Sequence, residues 1–180
     1  MRVKFILASC FIFFAGATAH ADGFFDKPKV RFGFSGGQLD LSDSNYSPTA
    51  WNFMAGYEFN RYLAVEVGTL IDRGIKYPDP TGTLKVDTSS YHLTAVGSYP
   101  LGDIVSVYGR AGLLRWTLHQ KYSTGGTTTS ASDDGNDPYF GAGFAFNVDS
   151  GLLQFEYART KIFDTTTTYI SLGILWRVEL

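Results

Sequence analysis

The chain has 180 residues, 15 basic and 17 acidic, with 16% aromatic residues, 20 glycines and a single cysteine, Cys10. Charge this balanced gives no basic patch, so nucleic acid is excluded as a partner. One cysteine builds no disulfide framework. Aromatic and glycine residues together suit strands that pack closely and carry large side chains on one face.

Arg2 and Lys4 precede an apolar run from Phe5 to Ala17, and Ala19-His20-Ala21 follows as a small-x-small site. This is the pattern of a cleaved secretory signal peptide, residues 1–21, with the mature chain starting at Asp22. The run is too short to span a membrane as a helix, which takes about 20 residues. Leu7-Ala8-Ser9-Cys10 matches a lipoprotein box only superficially, because it comes too early in the run.

From residue 29 onward the chain alternates. Val30, Phe32 and Phe34 interleave with Arg31, Gly33 and Ser35, a first strand, followed by a polar loop to Thr49. Trp51, Phe53, Ala55, Tyr57 and Phe59 mark the second strand, and Asn60-Arg61 is a tight turn. Leu63, Val65, Val67 and Ile71 mark the third, and Gly74–Leu84, with Pro78, Pro80 and Gly82, is expected to be a loop. Tyr91, Leu93, Ala95 and Tyr99 give the fourth strand, with a short turn over 100–103. Val105, Val107, Ala111 and Leu113 oppose Ser106, Tyr108, Arg110, Gly112 and Leu114 in the fifth. Lys121–Pro138, rich in Ser, Thr, Gly and Asp, is expected to be a long loop. Phe140, Ala142, Phe144 and Phe146 form the sixth strand, and Leu153, Phe155 and Tyr157 the seventh. Phe163–Thr167 leads into the eighth, Ile170 to Leu180, whose alternate residues Ile170, Leu172, Ile174, Trp176, Val178 and Leu180 are all apolar. A period of two is the signature of a strand, because successive side chains leave opposite faces.

Eight strands with connections alternating long and short fit an up-and-down antiparallel barrel. The competing reading is a soluble eight-stranded carrier with the apolar face inward, which requires an outer face dense in charge. The less apolar face is instead mostly small: Gly33, Ser35, Gly56, Ala64, Gly68, Ser98, Gly112, Gly141, Gly143, Ser171 and Gly173. Small residues suit the crowded lumen of an eight-stranded barrel. The apolar face therefore points at lipid, as a transmembrane β-barrel requires. Tyr57, Phe59, Tyr99, Phe146 and Trp176 all fall near the short turns on that face, where an interfacial aromatic girdle belongs.

The segment Gly56-Tyr57-Glu58-Phe59-Asn60-Arg61-Tyr62-Leu63-Ala64-Val65-Glu66-Val67-Gly68 resembles the second hairpin motif of OmpA-type eight-stranded outer-membrane barrels. Tyr108-Gly109-Arg110-Ala111-Gly112 is similar to that family's fifth strand, and Ile170-Ser171-Leu172-Gly173 with Trp176-Arg177-Val178 to its closing strand. The resemblance covers the mature chain, 22–180, as one domain. It implies a Gram-negative outer-membrane location, contact with outer-membrane lipid and lipopolysaccharide, and recognition of the last strand by the barrel assembly machinery. The family commonly closes on Phe or Trp, whereas Leu180 is last here.

The lumen parity carries Arg31, Glu58, Glu66, Arg110, Glu156, Arg177 and Glu179. Glu66, Arg110 and Glu156 are expected at mid-depth, and Arg31, Glu58, Arg177 and Glu179 nearer the short turns. Both signs occur at each depth, so a structural network that plugs the lumen is expected in place of a catalytic site. His92 also faces the lumen, followed by Thr94. Eight-stranded lipid A deacylases instead carry a His-x-Ser pair and a Glu on the lipid face, so an enzyme is not expected. Asp133-Asp134-Gly135-Asn136-Asp137 lacks calcium-loop spacing and a closing Glu, and is expected to be a hydrated loop tip. No cofactor or metal site is expected. The reading is an outer-membrane anchor whose polar loops, near 40–49, 74–84, 121–137 and 163–167, meet a surface ligand, as in adhesion. A narrow or gated pore is the alternative, and a lipid-modifying enzyme a remote one.

Overall fold

A computed structural model describes residues 27–42, 47–72, 75–79, 82–124, 126–149, 151–162 and 165–179. The expected signal peptide, residues 1–21, lies outside them. The strands are β1 (Lys29–Leu41), β2 (Thr49–Asn60), β3 (Leu63–Asp72), β4 (Ile75–Asp79), β5 (Gly82–Pro100), β6 (Val105–Thr124), β7 (Thr127–Val148), β8 (Gly151–Ile162) and β9 (Thr165–Glu179). Strands successive in sequence pair antiparallel except β3 with β4, β1 also pairs β9, and β3 pairs β5. The sheet therefore closes on itself. β3 and β4 pair successive stretches of β5, so they are one interrupted stave of an eight-stranded barrel.

Alternation decides which face goes where. Phe53, Tyr91, Leu93, Leu113, Phe155 and Leu172 are all exposed, Leu113 by 65%. Their alternates, among them Asn52, His92, Leu114 and Glu156, are buried. Large apolar side chains cover the outside as a continuous belt, far beyond the patch size that water tolerates on a monomer. The soluble-carrier arrangement is thereby the inverse of the one found. Tyr57, Phe59, Tyr99, Phe146 and Trp176 lie on this outer face; Tyr57 meets Phe59 edge-on at 5.0 Å and Trp176 stacks on Phe32 at 5.7 Å.

Short turns close one end. Asn60 Oδ1 accepts the amides of Tyr62 and Leu63, both at 2.9 Å, which fixes the β2–β3 turn. Asp149 takes a left-handed φ of 46° between β7 and β8, a conformation Asp tolerates better than most residues.

The other end departs from expectation. The segments 74–84 and 121–138 are mostly strand, not loop. β6 and β7 pair without a break up to Thr124↔Thr127, and β5 stays paired to β6 as far as Thr83↔Ser123. With β4 they make a four-stranded sheet that rises past the belt. Here both faces meet water, so the sequence loses its apolar alternation while β-branched Thr still favours the extended chain. Asp133–Asp137 accordingly sits within β7 and not at a tip; the tip is at Gly126, whose φ is 83°. β1 likewise runs on to Leu41 through the adjacent glycines Gly36 and Gly37, and β9 starts at Thr165.

Candidate functional site

Glycine makes room for charge inside the barrel. In the strand register Glu66 and Arg31 both lie beside Gly56, Arg110 beside Gly141, Glu156 beside Gly143 and His92 beside Gly68. A Cβ on Gly56 would stand 2.7 Å from Glu66 Cγ, and one on Gly141 would stand 3.0 Å from Arg110 Cγ. The missing side chains are the space into which long ionic ones fold.

These groups form one chain of alternating sign. Arg110 Nη2 lies 2.9 Å from Glu156 Oε2, and its Nη1 lies 3.4 Å from Glu66 Oε2. Glu66 Oε1 meets Arg31 Nη2 at 2.7 Å, and Arg31 Nη1 is 3.7 Å from Glu58. Glu58 is 3.9 Å from Arg177, which donates to Asn147 Oδ1 at 3.0 Å. Tyr108 and Tyr139 donate their hydroxyls to the two oxygens of Glu156, at 3.0 and 3.1 Å. The Arg110 guanidinium also stands 5.5 Å from the Tyr108 ring centre. Glu66 and Arg110 side chains have no exposed surface. Burying such charges costs several kcal/mol per ion unless each is paired and hydrogen-bonded. The alternation of sign supplies the pairing from Glu156 to Arg177, while both carboxylate oxygens of Glu66 and the guanidinium nitrogens of Arg110 make no well-aligned hydrogen bond among the described residues.

Glu179 is outside this chain. Its side chain is 60% exposed at the rim and, among the described residues, pairs with Lys29 at 3.5 Å. It has the lumen parity, but it is the last strand residue and stands past the crowded interior. The two depth groups expected from the sequence are also joined, because Arg31 reaches up to Glu66.

Two apolar clusters flank the ions. Leu39, Leu70, Leu114, Trp116, Leu118, Tyr139 and Tyr169 fill the lumen toward the long sheet, with Leu114 fully buried. Met54, Val96, Leu152 and Leu175 pack toward the short turns. Sequence reasoning missed the upper cluster. Its signal was Leu114-x-Trp116-x-Leu118, on the same parity as Arg110 and so facing inward. Below, a recess of about 150 Å³ opens among Arg31, Glu58, Asn60, Arg61 and Arg177.

His92 is held by its Nε2 at 3.0 Å from Asn52 Oδ1 and is stacked on Tyr139 at 5.2 Å. The neighbouring Ser90 hydroxyl donates to the Leu70 carbonyl at 3.3 Å. Among the described residues no three His, Cys, Asp or Glu side chains converge to hold a metal.

A closed barrel with a lipid belt outside and ion pairs inside matches a known sequence profile, that of the outer membrane protein β-barrel domain, over residues 6–177. The chain belongs to this family. It is 27% identical to outer membrane protein A of Klebsiella pneumoniae over 179 residues, covering 83% of this chain and 52% of that protein. It thus spans about half the length of that curated relative. The family's fold is seen in Ail, the attachment invasion locus protein of Yersinia pestis, at a TM-score of 0.59 and 21% identity, covering 85% of this chain and 99% of Ail. A second Ail structure, with a TM-score of 0.58 and 22% identity over 84% of this chain and 98% of Ail, holds the heparin analogue sucrose octasulfate. OprG of Pseudomonas aeruginosa superposes with a TM-score of 0.61 at 11% identity, covering 88% of this chain and 99% of OprG. The chain is therefore an OmpA-type eight-stranded outer-membrane barrel.

Proposed function

We propose that this barrel is a non-conducting, non-enzymatic anchor that displays its β4–β7 sheet outside the cell for contact with a surface ligand. The observation that carries the reading is the filled lumen: an alternating ion chain between two apolar clusters. A strand crosses the bilayer with about 9–11 residues, so β6 and β7, at 20 and 22, carry roughly half their length beyond it. That surplus builds a surface. Ail, solved with a heparin analogue, is a barrel of the same fold with a ligand bound, which agrees with display.

In this reading residues 1–21 are a cleaved export signal. The outer belt contacts membrane lipid and lipopolysaccharide, and β9 is the strand the assembly machinery engages. The ions from Arg31 to Arg177 then act as structural pairs and the five aromatics as an interfacial girdle.

Conductance of the refolded chain in a planar bilayer tests the reading, with folding confirmed by heat-modifiable gel mobility. A folded, silent barrel is expected. Stable conductance steps would overturn it and favour a narrow pore through the Glu66–Arg110 layer.

A further inference from the structure

The ion chain inside the barrel is balanced, three arginines against three glutamates from Glu156 to Arg177. The recess below it, at the short-turn mouth of the lumen, is not. Arg31, Arg61 and Arg177 line this recess, and Glu58 is the carboxylate among its described lining residues. Arg61 is a cation that the chain does not hold. It follows the Asn60 turn, stands 4.9 Å from the Tyr62 ring centre and has no ion-pair partner among the described residues.

The recess also holds donors that lack acceptors. Arg31 is 3% exposed, and its Nε is unanswered although its two Nη atoms reach Glu66 and Glu58. Asn60, 5% exposed, commits Oδ1 to the amides of Tyr62 and Leu63. Its Nδ2 is left as a donor without a partner among the described residues. Arg177 is held in position: Asn147 Oδ1 accepts its Nη2 at 3.0 Å, and Asn147 Nδ2 donates to the Asp103 carbonyl at 2.7 Å. Glu58 satisfies its neighbours only loosely, at 3.7 Å from Arg31 and 3.9 Å from Arg177, whereas Arg31 meets Glu66 at 2.7 Å. Buried donors without acceptors are costly, so the mouth gains from a guest rich in acceptors.

The placement of the arginines selects that guest. They come from β1, the β2–β3 turn and β9, and so reach the recess from different sides. A planar carboxylate is matched by one arginine fork, whereas a phosphate group offers oxygens to several at once. At roughly 30 Å³ per water, the volume of about 150 Å³ has room for about five waters, enough for one phosphate group but not for a nucleotide. We infer that the short-turn mouth of the lumen is a binding site for a single phosphate monoester group, held by Arg61, Arg177, Arg31 Nε and Asn60 Nδ2. The short turns of outer-membrane barrels face the periplasm. The group therefore belongs either to a soluble phosphate compound or to a lipid headgroup folded over the rim. This site lies at the opposite end from the β4–β7 sheet and is independent of the display reading.

The test titrates inorganic phosphate, and separately acetate, into the full refolded barrel in phosphatidylcholine nanodiscs, followed by calorimetry. Phosphate should bind with one-to-one stoichiometry, and acetate about tenfold more weakly. Arg61→Ala changes an exposed turn residue outside the ion chain. It should weaken phosphate binding about tenfold, the loss of one charge-assisted hydrogen bond, and leave heat-modifiable mobility unchanged. Arg115→Ala, at the far end, should bind phosphate as the parent does. Glu58→Gln removes a repelling charge and should bind several-fold tighter. With arginine labelled by nitrogen-15, the Arg31 Nε–H signal should move during the titration while that of Arg115 stays. Discs doped with phosphatidic acid or phosphatidylglycerol separate the sources. Phosphate displaced by the monoester lipid but not by the diester identifies a lipid headgroup as guest, and displacement by neither identifies a soluble one; both keep the site. A folded barrel that binds no phosphate would overturn the proposal. So would equal binding of acetate, or undiminished phosphate binding by Arg61→Ala.

Discussion

The lower and upper halves of β6 and β7 are the same two strands in two environments. Below Leu113 and Phe140 their outer faces carry Val107, Ala111, Phe144 and Phe146, while Arg110 is buried inside. Above that level Arg115, with its side chain 66% exposed, faces Asp134 across 3.5 Å on the outside, while Leu114, Trp116 and Leu118 stay buried on the inside before both faces turn polar. Arg110 and Arg115 are five residues apart and both lie near carboxylates. Their expected contributions differ several-fold, because one pair is walled from water and the other is screened by it. Lipid outside and ions inside give each residue of the lower half one permissible face. The upper half buries Leu114, Trp116 and Leu118 at its base; beyond them water meets both faces and the ladder holds the strands.

The sharpest way to break the comparison is to truncate each arginine. Arg110→Ala leaves Glu66 and Glu156 buried without their shared partner, and should cost about 3–5 kcal/mol. Arg115→Ala should change stability by less than about 1 kcal/mol. Urea midpoints of the two refolded variants in lipid vesicles give the difference directly. Similar midpoints would mean that the inner ions are not a structural network.

A smaller effect should come from placing a new charge on each region. Leu172, 57% exposed on the lipid belt, should cost roughly 2–4 kcal/mol as Leu172→Arg. Thr129→Arg, on the exposed part of β7, should leave the midpoint unchanged. Tolerance of Leu172→Arg would contradict the assignment of that face to lipid.

The smallest expected effect lies at the junction of the two regions. Trp116→Phe keeps the ring in the upper cluster but removes the donor to Asp137, a loss of about 1 kcal/mol. Hydrogen exchange should then rise in β7 above Phe140 more than below it. A uniform rise would place Trp116 in the stability of the whole barrel.

Legibility in the sequence followed the same division. Phe140, Phe144 and Phe146 against Gly141 and Gly143 announced the lower part of β7, because lipid and lumen demand opposite chemistry from adjacent residues. Thr127–Pro138 carried no such contrast and read as loop, although it forms a continuous ladder with β6. The inward-facing ions were readable from parity alone. Their partners were not: Arg110 sits in register beside Val96 and Gly141, yet pairs with Glu66 of β3 and Glu156 of β8, each two strands away. Glu179 had the right parity and a rim position that parity cannot convey.

The sequence by itself determined the number of staves and the lipid-facing belt. It could do so because a period of two is a local property of the extended chain. Only the tertiary structure decided how Glu156, Arg110, Glu66, Arg31, Glu58 and Arg177 link into one chain, and where β7 parts from β8. Those depend on how the closed sheet is staggered, which brings side chains of non-adjacent strands together across the lumen and leaves one edge of β7 open above it.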